Sequence, residues 1–363
     1  MGFYKMIRMG VLLLILLPLT GCWDQRLLKD SLLLIASGFD VEDNGNVRLT
    51  MAVLSPRNKV LVFSGTGLSP HDARNKLEER MPGRLDNSNN RLVLIGEAAA
   101  KKGIYPLLDI FFRDPSSALN ANIGVVKGSA EKYFTRHAKD KMETLQNIDK
   151  MFTDKRQTNH IPLANIQSIC PIFLDPGEDI ILPYLADEKG DLSIIGNALF
   201  NGLKMTGTLE KDESILCMLL KGSIVRTASF TFPVKGKKGP ASPLSFQIYN
   251  NKRKLQVKAG PGGVDARIDL KLNIEIMEYP PDNLSDQDTA GRIEGQLADE
   301  LTSRSRRVLE KLQKADCDFL GIGRRVIAYY PSYWKETDWD KDYPKAAMTP
   351  EIRLHVLKHG ILN

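Results

Sequence analysis

The feature that most constrains the fold of this 363-residue chain is an alternating segment followed by a long amphipathic one. Within Ala266 to Glu278 apolar and polar residues alternate, which predicts a β-strand with one buried face. Thr289 to Lys314 carries an apolar residue every three or four positions, which predicts one long helix. Its apolar stripe consists of Ile293, Leu297, Leu301, Val308 and Leu312. With a last strand over Glu351 to Leu357, the sequence predicts a long helix packed on a C-terminal sheet.

The first part of the chain predicts a mixed unit of strands and helices. Asn44-Gly45 lies between two strand-like runs and predicts a hairpin. Ser69 is the expected N-cap of a helix with Pro70 at its first position. The other predicted elements are a strand over Val60 to Phe63, a turn at Gly65-Thr-Gly67, a strand over Arg91 to Ile95, helices over Glu97 to Lys102 and Ile104 to Arg113, and a strand near Ala121 to Val126.

The middle of the chain is less regular. Residues 140–168 are charged and helix-compatible, and we expect a connecting arm there. Short runs near residues 192–200, 216–220 and 227–232 suggest strands, and the loop 235–240 is a plausible boundary because glycine, proline and like charges disfavour a packed element. Strands over residues 244–249 and 255–258 are expected to follow.

The predicted fold class is therefore α+β and multidomain, with two to three mixed α/β domains built on antiparallel or mixed sheets. The expected boundaries are an N-terminal domain over residues 22–190 that includes the arm, a small β-rich middle domain over 191–235, and a C-terminal α+β domain over 236–363. The roughly 340 residues that follow position 21 are more than one ordinary hydrophobic core accommodates, which favours a division into several domains.

Residues 1–21 have the pattern of an export signal. Lys5 and Arg8 precede a short apolar run that ends at Pro18, too short for the roughly 20 residues of a transmembrane helix. Leu19, Thr20 and Gly21 before Cys22 form the recognition pattern of lipoprotein signal peptidase, which predicts a diacylglycerol on Cys22. The alternatives are an uncleaved anchor or an ordinary signal cut nearby.

Other features narrow the function classes. Removing residues 1–21 lowers the formal net charge of the chain from +6 by two. Basic residues cluster at 235–238, 252–254 and 304–307. These clusters either face anionic lipid head groups or are ordinary solvated surface. Nucleic-acid binding is disfavoured because no aromatic residues are interleaved with these clusters. Cys170, Cys217 and Cys317 suggest no disulfide framework, and we expect buried apolar residues there.

No catalytic or metal-binding pattern is convincing, so we predict a protein that is not an enzyme and has no cofactor or metal. In a strand, His355 and His359 would lie about 13 Å apart, too far to share one ion. The carboxylates of Asp316 and Asp318 have no histidine nearby in sequence and are interpreted as turn and capping groups.

A set of short blocks along the mature chain resembles the Ger(x)C lipoproteins, the C subunits of spore germinant receptors. The blocks are Cys22-Trp23-Asp24, Gly38, Asn44-Gly45, Leu49-Thr50 with Pro56, Leu107-Leu108-Asp109 with Arg113-Asp114, Leu182-Pro183, Ile195 to Phe200, Lys204 to Gly207, Glu278, Asp318 to Gly323, Trp334, Trp339 and Gly360. The family usually has Asp-Ile-Phe-Gly-Phe-Gly where this chain has residues 318–323, and often a histidine where it has Asn89-Asn90.

The resemblance implies a non-enzymatic scaffold or coupling subunit, lipid-anchored to the outer face of the spore inner membrane, with a multi-pass A subunit and a transporter-like B subunit as partners. In that family germinant binding is attributed mainly to the membrane subunits, so no small molecule is expected to bind this chain directly. The rivals are a substrate-binding lipoprotein of an importer, which should show two lobes of repeated βα units, and an exported hydrolase.

Two expectations concern the C-terminal motif residues. Gly321 and Gly323 are expected to adopt backbone angles forbidden to other residues, so that Asp318 and Phe319 pack the end of the long helix onto the C-terminal sheet. Trp334 and Trp339 are expected to be structural or interfacial, either in the core or at a subunit interface.

Overall fold

The computed structural model describes residues 2–4, 6, 31–55, 59–138, 142–188, 191–223, 227–235, 241–281, 284 and 286–358. Leu19, Thr20, Gly21 and Cys22 therefore lie outside the described residues, and the predictions of signal cleavage and lipidation stay predictions.

The first domain is built on a nine-stranded mixed sheet. Its strands are β1 (Ser31–Val41), β2 (Val47–Leu54), β3 (Val60–Gly67), β4 (Arg84–Asp86), β5 (Leu92–Gly96), β6 (Asn122–Val126), β7 (Ile181–Glu188), β8 (Asp191–Asn201) and β9 (Lys204–Glu210). They are ordered β3-β2-β1-β5-β6-β7-β8-β9, with β4 beside β1. The four central strands β1, β5, β6 and β7 are parallel, and the outer pairs are antiparallel hairpins.

Helices cover both faces of this sheet. They are α1 (Pro70–Glu78), α2 (Glu97–Lys102), α3 (Tyr105–Arg113), α4 (Ala130–Tyr133) with the π-helical turn Phe134–Ala138, α5 (Met142–Gln157) and α6 (Ile166–Leu174). One face packs on α1, α2, α3 and α6, and the other packs on α4 and α5. Every residue of β5 and β6 is buried as a result, as expected of parallel strands covered on both sides.

The second domain has a four-stranded sheet and one long helix. The strands β10 (Ala228–Lys235), β11 (Ala241–Gly260), β12 (Gly263–Glu278) and β13 (Ala347–Lys358) lie in chain order, with β13 parallel to β12. Buried and exposed residues alternate strictly along β10 and closely along β12. The helix α8 (Gln287–Lys314) contributes the whole predicted stripe to the core of this domain. The predicted α+β class and the long helix packed on the C-terminal sheet are confirmed.

Short helices connect α8 to β13. They are α9 (Ile322–Tyr329), α10 (Pro331–Glu336), α11 (Trp339–Asp342) and a 3₁₀ turn at Tyr343–Lys345. Together with the turn that precedes α9, they lie where the second domain meets the first.

Residues 191–235 do not form a sheet of their own. The strands β8 and β9 extend the first sheet, and β10 begins the second. The predicted strand at 216–220 is instead the helix α7 (Lys211–Lys221), which packs into the core of the second domain. Its six consecutive buried apolar residues hide the helical period, while a capping box between Glu210 and Glu213 starts the helix.

Two further local predictions differ from the structure. The arm at 140–168 is helical, but α5 is packed through Leu145, Ile148 and Phe152 rather than exposed as a connector. Gly65 and Gly67 lie inside β3 rather than in a turn. A Cβ at either position would come within 2.7 Å of atoms of α1, so close packing accounts for glycine at both. The predicted N-cap Ser69 is confirmed, since its side chain accepts a hydrogen bond from the Asp72 N–H.

Candidate functional site at the junction of the two domains

The turn between α8 and α9 centres on a buried carboxylate. Asp318 is only 1% exposed, and its two carboxylate oxygens accept hydrogen bonds from the Ile322 N–H at 2.9 Å and the Gly323 N–H at 2.6 Å. These are the first amides of α9, where the helix dipole favours negative charge. Burial nevertheless dominates and raises the pKa of Asp318 to about 8, against the lowering effect of the two amides. The predicted capping role of Asp318 is what the geometry shows.

The two glycines of this turn are required for different reasons. Gly321 has a φ of +71°, in the left-handed region that the sequence predicted. Gly323 has no positive φ, so the prediction of a forbidden angle is wrong for it. Gly323 is needed instead because neighbouring residues occupy the space of a side chain. A Cβ there would lie 2.7 Å from the Gly177 Cα and 2.8 Å from the Trp339 Nε1.

Asp318 is joined to the first domain through Asp179, which lies two residues before the start of β7. The Asp318 N–H donates to the Asp179 Oδ2 at 2.7 Å, and the Asp179 N–H donates to the Asp318 carbonyl at 3.1 Å. The other Asp179 oxygen accepts from the Gly202 N–H in the turn between β8 and β9 at 2.7 Å. Burial raises the pKa of Asp179 as well. Three chain segments distant in sequence are therefore held together by two carboxylates and backbone amides.

Positive charge reaches the junction from α7 and α9. Lys221 donates to the Glu178 Oε1 at 2.7 Å and to the Phe319 carbonyl at 2.8 Å, and its ammonium lies 5.1 Å from the centre of the Phe319 ring. Arg324 pairs with Asp175 at 2.8 Å and with Glu178 at 3.3 Å. Phe319 is buried, as predicted, but it packs under a lysine of α7 as well as against the second core.

Trp334 and Trp339 are half-buried at the outer edge of this junction. Their ring centres are 5.5 Å apart, Trp339 lies 5.9 Å from the Tyr343 ring, and both tryptophans pack against the core of the second domain. They also line an open groove together with Leu174 of α6, whose side chain is 79% exposed. The structure thus brings all six predicted motif residues to one junction, and the choice between core and interface for the tryptophans stays open.

The junction residues of the first domain were missed by the sequence analysis. Gly177, Glu178 and Asp179 fall between the predicted arm at 140–168 and the predicted run near 192–200, and Lys221 lies just after the predicted strand at 216–220. Pro176-Gly177 is a turn signal that could have marked the segment, and Gly177 does adopt a φ of +86°. Nothing in the sequence indicates that Asp179 pairs with Asp318, because the two residues are 139 positions apart.

The arrangement does not resemble a catalytic or metal centre. Among the described residues, no three histidine, cysteine or acidic side chains are placed to share a metal ion. His355 is paired with Glu294 at 3.2 Å, and His359 is outside the described residues. Cys217 and Cys317 are buried as expected, whereas Cys170 is only half-buried. Within the described ranges, no helix has the length and apolar content needed to cross a bilayer.

Comparisons with known proteins agree across both domains. Residues 24–187 match the family described as spore germination protein N-terminal domain, and residues 195–360 match the family described as spore germination B3/GerAC like, C-terminal. Spore germination protein KC of Bacillus subtilis (strain 168) is 25% identical, over 97% of this chain and 95% of that protein. Spore germination protein GerQC of Bacillus cereus is 19% identical, over 94% and 96% respectively.

The fold also has a solved counterpart. The crystal structure of the GerBC protein superposes on 89% of this chain and 98% of that chain, with a TM-score of 0.60 and 18% sequence identity. The matched residues include the junction, since the second family match contains the whole of the α8–α9 turn and both tryptophans. The chain therefore belongs to the GerAC-like family of spore germination proteins, as its resemblance to the Ger(x)C lipoproteins had predicted.

Proposed function

We propose that this chain is the lipid-anchored C subunit of a spore germinant receptor and acts as a non-enzymatic scaffold that couples the membrane subunits during germination. Its relatives are spore germination proteins along nearly their whole length, which supports a role in germination. The multi-pass A and transporter-like B subunits are the partners that the family resemblance implies. The proposed location is the outer face of the spore inner membrane.

The observation that carries the scaffold role is the double contact between Asp179 and Asp318. Each residue donates its backbone N–H to the other residue, and both carboxylates are largely removed from water. A contact of this kind holds the two domains together as one body, which suits a protein that transmits position rather than one that closes around a substrate. The importer alternative is disfavoured, because the second domain is four strands and one long helix rather than repeated βα units.

The anchor is tested by Cys22→Ala, with Cys170→Ala as the matched loss of a thiol from the folded body. A diacylglycerol presents two chains, and each buried methylene contributes about 0.8 kcal/mol, enough for lasting attachment. We expect Cys22→Ala to stop labelled palmitate incorporation, to change the mobility of the chain and to impair germination, while Cys170→Ala does none of these. Normal processing, membrane retention and labelling of Cys22→Ala would refute the anchor.

Assembly is tested by recovering the tagged chain from detergent-solubilised spore membranes and identifying what comes with it. We expect the A and B subunits to be recovered with the unaltered chain. Trp334→Ala, compared with Trp334→Phe, then separates the two roles of the tryptophan pair. An alanine variant that melts normally but loses both subunits would place Trp334 in the receptor interface, and one that melts early would place it in the core.

A further inference from the structure

The open groove at the junction takes one wall from each domain. The first domain contributes α6, the segment that leads to β7 and the turn between β8 and β9, and the second contributes α10 and α11. The volume of the groove is about 730 Å³, which is within the usual range for sites that bind another molecule. Its apolar lining residues are Ile172, Phe173, Leu174, Pro176, Trp334 and Trp339.

The apolar walls of the groove are held in place by neighbouring aromatic rings. In the first domain, the ring centre of Phe173 lies 6.4 Å from that of Tyr105 and 6.3 Å from that of Phe112, both edge-to-face. In the second domain, Trp334 and Trp339 pack against each other and against the core. Leu174 nevertheless stays largely in water. Exposed leucine beside fixed aromatic rings is typical of a surface that another protein covers.

All five ionisable side chains that line the groove are acidic: Asp175, Glu178, Asp179, Asp338 and Asp340. Three basic residues outside the lining pair with some of them. Arg324 pairs with Asp175 and Glu178, Lys221 with Glu178, and Lys341 with Asp338. Asp179 accepts from two backbone amides, and Asp340 forms no ion pair with any residue that the structure describes. Five carboxylates against three basic groups leave a formal surplus of two negative charges.

The charge of Asp340 acts on its acidic neighbours. Burial is the main reason that the pKa of Asp179 is raised, and repulsion from Asp340 adds to it. The same repulsion adds to burial in raising the pKa of Asp316. A cation beside Asp340 would relieve this repulsion, whereas a lipid phosphate or an acidic peptide would increase it. The Trp339 Nε1 has no acceptor, but it is buried against Gly323 and is not presented to the groove.

We propose that the groove holds a short segment of a membrane subunit of the receptor in which a lysine or arginine stands beside large apolar residues. The apolar side chains cover Leu174 and the tryptophan pair, and the basic side chain lies beside Asp340. A segment seated there contacts both domains at once. This assignment rests on the proposed function, because it takes the occupant from the receptor, and it adds the chemistry of the contact.

The first test places a photo-crosslinking amino acid in the full chain within spore membranes. p-Benzoylphenylalanine replaces Leu174 in one variant and Leu68 in the control, because Leu68 is 82% exposed but lies outside the groove. We expect position 174, and not position 68, to crosslink to a peptide of the A or B subunit that has lysine or arginine beside apolar residues. Crosslinking of position 174 to lipid, to a second copy of this chain, or to a peptide without a basic residue would overturn the proposal.

Charge reversal in the groove tests the choice of a basic segment. Asp340→Lys should lower the crosslink yield from position 174 at least about tenfold, and Asp340→Asn should lower it less, because it only removes the attraction. Glu336→Lys is the matched control, since Glu336 is also exposed and acidic but does not line the groove, and it should leave the yield unchanged. An unchanged yield in Asp340→Lys, or equal losses in Asp340→Lys and Glu336→Lys, would overturn the assignment.

Recovery of the membrane subunits separates this proposal from the receptor role. If the A and B subunits are recovered with the unaltered chain but position 174 gives no crosslink, the groove proposal fails and the receptor role stands. If neither subunit is recovered with the unaltered chain, the receptor role fails and the groove proposal fails with it.

Discussion

The two sheets of this molecule bury their residues in different ways. The first sheet is sandwiched between helices, so its central strands are buried on both faces and feed two separate apolar clusters. The second sheet has one covered face and one open face, and its core depends on α7 and α8, each of which contributes six buried apolar residues. In the first domain helices cover both faces of the sheet, whereas in the second domain α7 and α8 cover one face only.

This difference predicts that losing a comparable core contact destabilises the two domains unequally. Removing a contact from one short helix of the first domain leaves the other helices and the opposite face in place. The second domain has a four-stranded sheet that is covered on one face only, so no core on an opposite face remains when a contact there is lost. The junction at Asp318 is the structural feature that could blur the contrast by making the two domains unfold together.

The largest effect is expected from Leu301→Ala in α8, compared with Leu108→Ala in α3. Both leucines are 0% exposed, and each truncation should lower the free energy of unfolding by about 2–5 kcal/mol. Trp334 and Trp339 both pack against the second core, so tryptophan fluorescence in a denaturant titration reports mainly on that domain. We expect Leu301→Ala to shift this transition strongly and Leu108→Ala to shift it little. Equal shifts would mean that the two domains unfold as one unit.

The second expectation is a pH dependence of opposite sign in the two domains. The folded-state pKa of Asp318 is raised to about 8 by burial, so its contribution to stability is full below pH 4 and is lost as the pH rises toward 8. The pKa of Asp114 in the first domain is lowered to about 2, so its contribution is present above pH 4 and is lost only as the pH falls through 2. Between pH 5 and 8 the second domain should lose stability on the order of a few kcal/mol.

Hydrogen exchange measured domain by domain at about pH 5 and pH 8 checks this expectation. Protection of α8 and β12 should fall at the higher pH, and protection of β5 should change less after correction for the intrinsic exchange rate. Asp318→Asn is the matching variant, because the amide retains one acceptor but does not titrate. It should be less stable at pH 5 and should show a flatter pH profile. An unchanged slope in Asp318→Asn would assign the pH dependence to another group.

The contrast between the sheets also explains which elements the sequence could predict. Alternation is visible only where one face is exposed, so β12 was recognised from its period, whereas β10, which alternates as well, was predicted only as a short run near residues 227–232. The strands β5 and β6 were found as short apolar runs, since every residue in them is buried. The same kind of run at Ile215 to Leu220 belongs to a helix, and there the apolar pattern alone was misleading.

The site shows a similar limit. Asp318 and Gly321 act within one short turn, so a local pattern was sufficient to predict a cap and a left-handed glycine. The requirement at Gly323 comes from Gly177 and Trp339, and the partner of Asp318 is Asp179, in the segment that precedes β7. These contacts depend on how the domains are placed, and no short pattern in the chain encodes that placement.

A smaller effect is expected when a methyl group replaces the hydrogen of a junction glycine. Gly323→Ala places a Cβ against the backbone of Gly177 and the Trp339 ring, and Gly321→Ala forces a positive φ on a residue with a side chain. Each should lower the free energy of unfolding of the second domain by about 1–3 kcal/mol. Gly262→Ala is the control, because a Cβ there meets nothing within 4 Å. The larger change to valine at either junction glycine should be more destabilising, and normal melting of both valine variants would contradict the packing described.

The smallest effects should come from the helix caps, and they test the comparison most directly. Ser69 caps α1 by accepting from the Asp72 N–H at 3.2 Å, and Asp286 caps α8 by accepting from the Thr289 N–H at 3.2 Å. Replacing either residue by alanine removes one cap and should cost about 1 kcal/mol locally. Loss of the Ser69 cap affects only α1, and α2, α3 and α6 pack on the same face of the first sheet. The loss of the α8 cap loosens one of the two helices that cover the second core. We therefore expect hydrogen-exchange protection of the second domain to fall in Asp286→Ala, and that of the first domain to stay near the unaltered value in Ser69→Ala. Because the two caps have similar hydrogen-bond geometry, a matched shift in both variants would mean that α8 is no more critical to its domain than α1 is to the other.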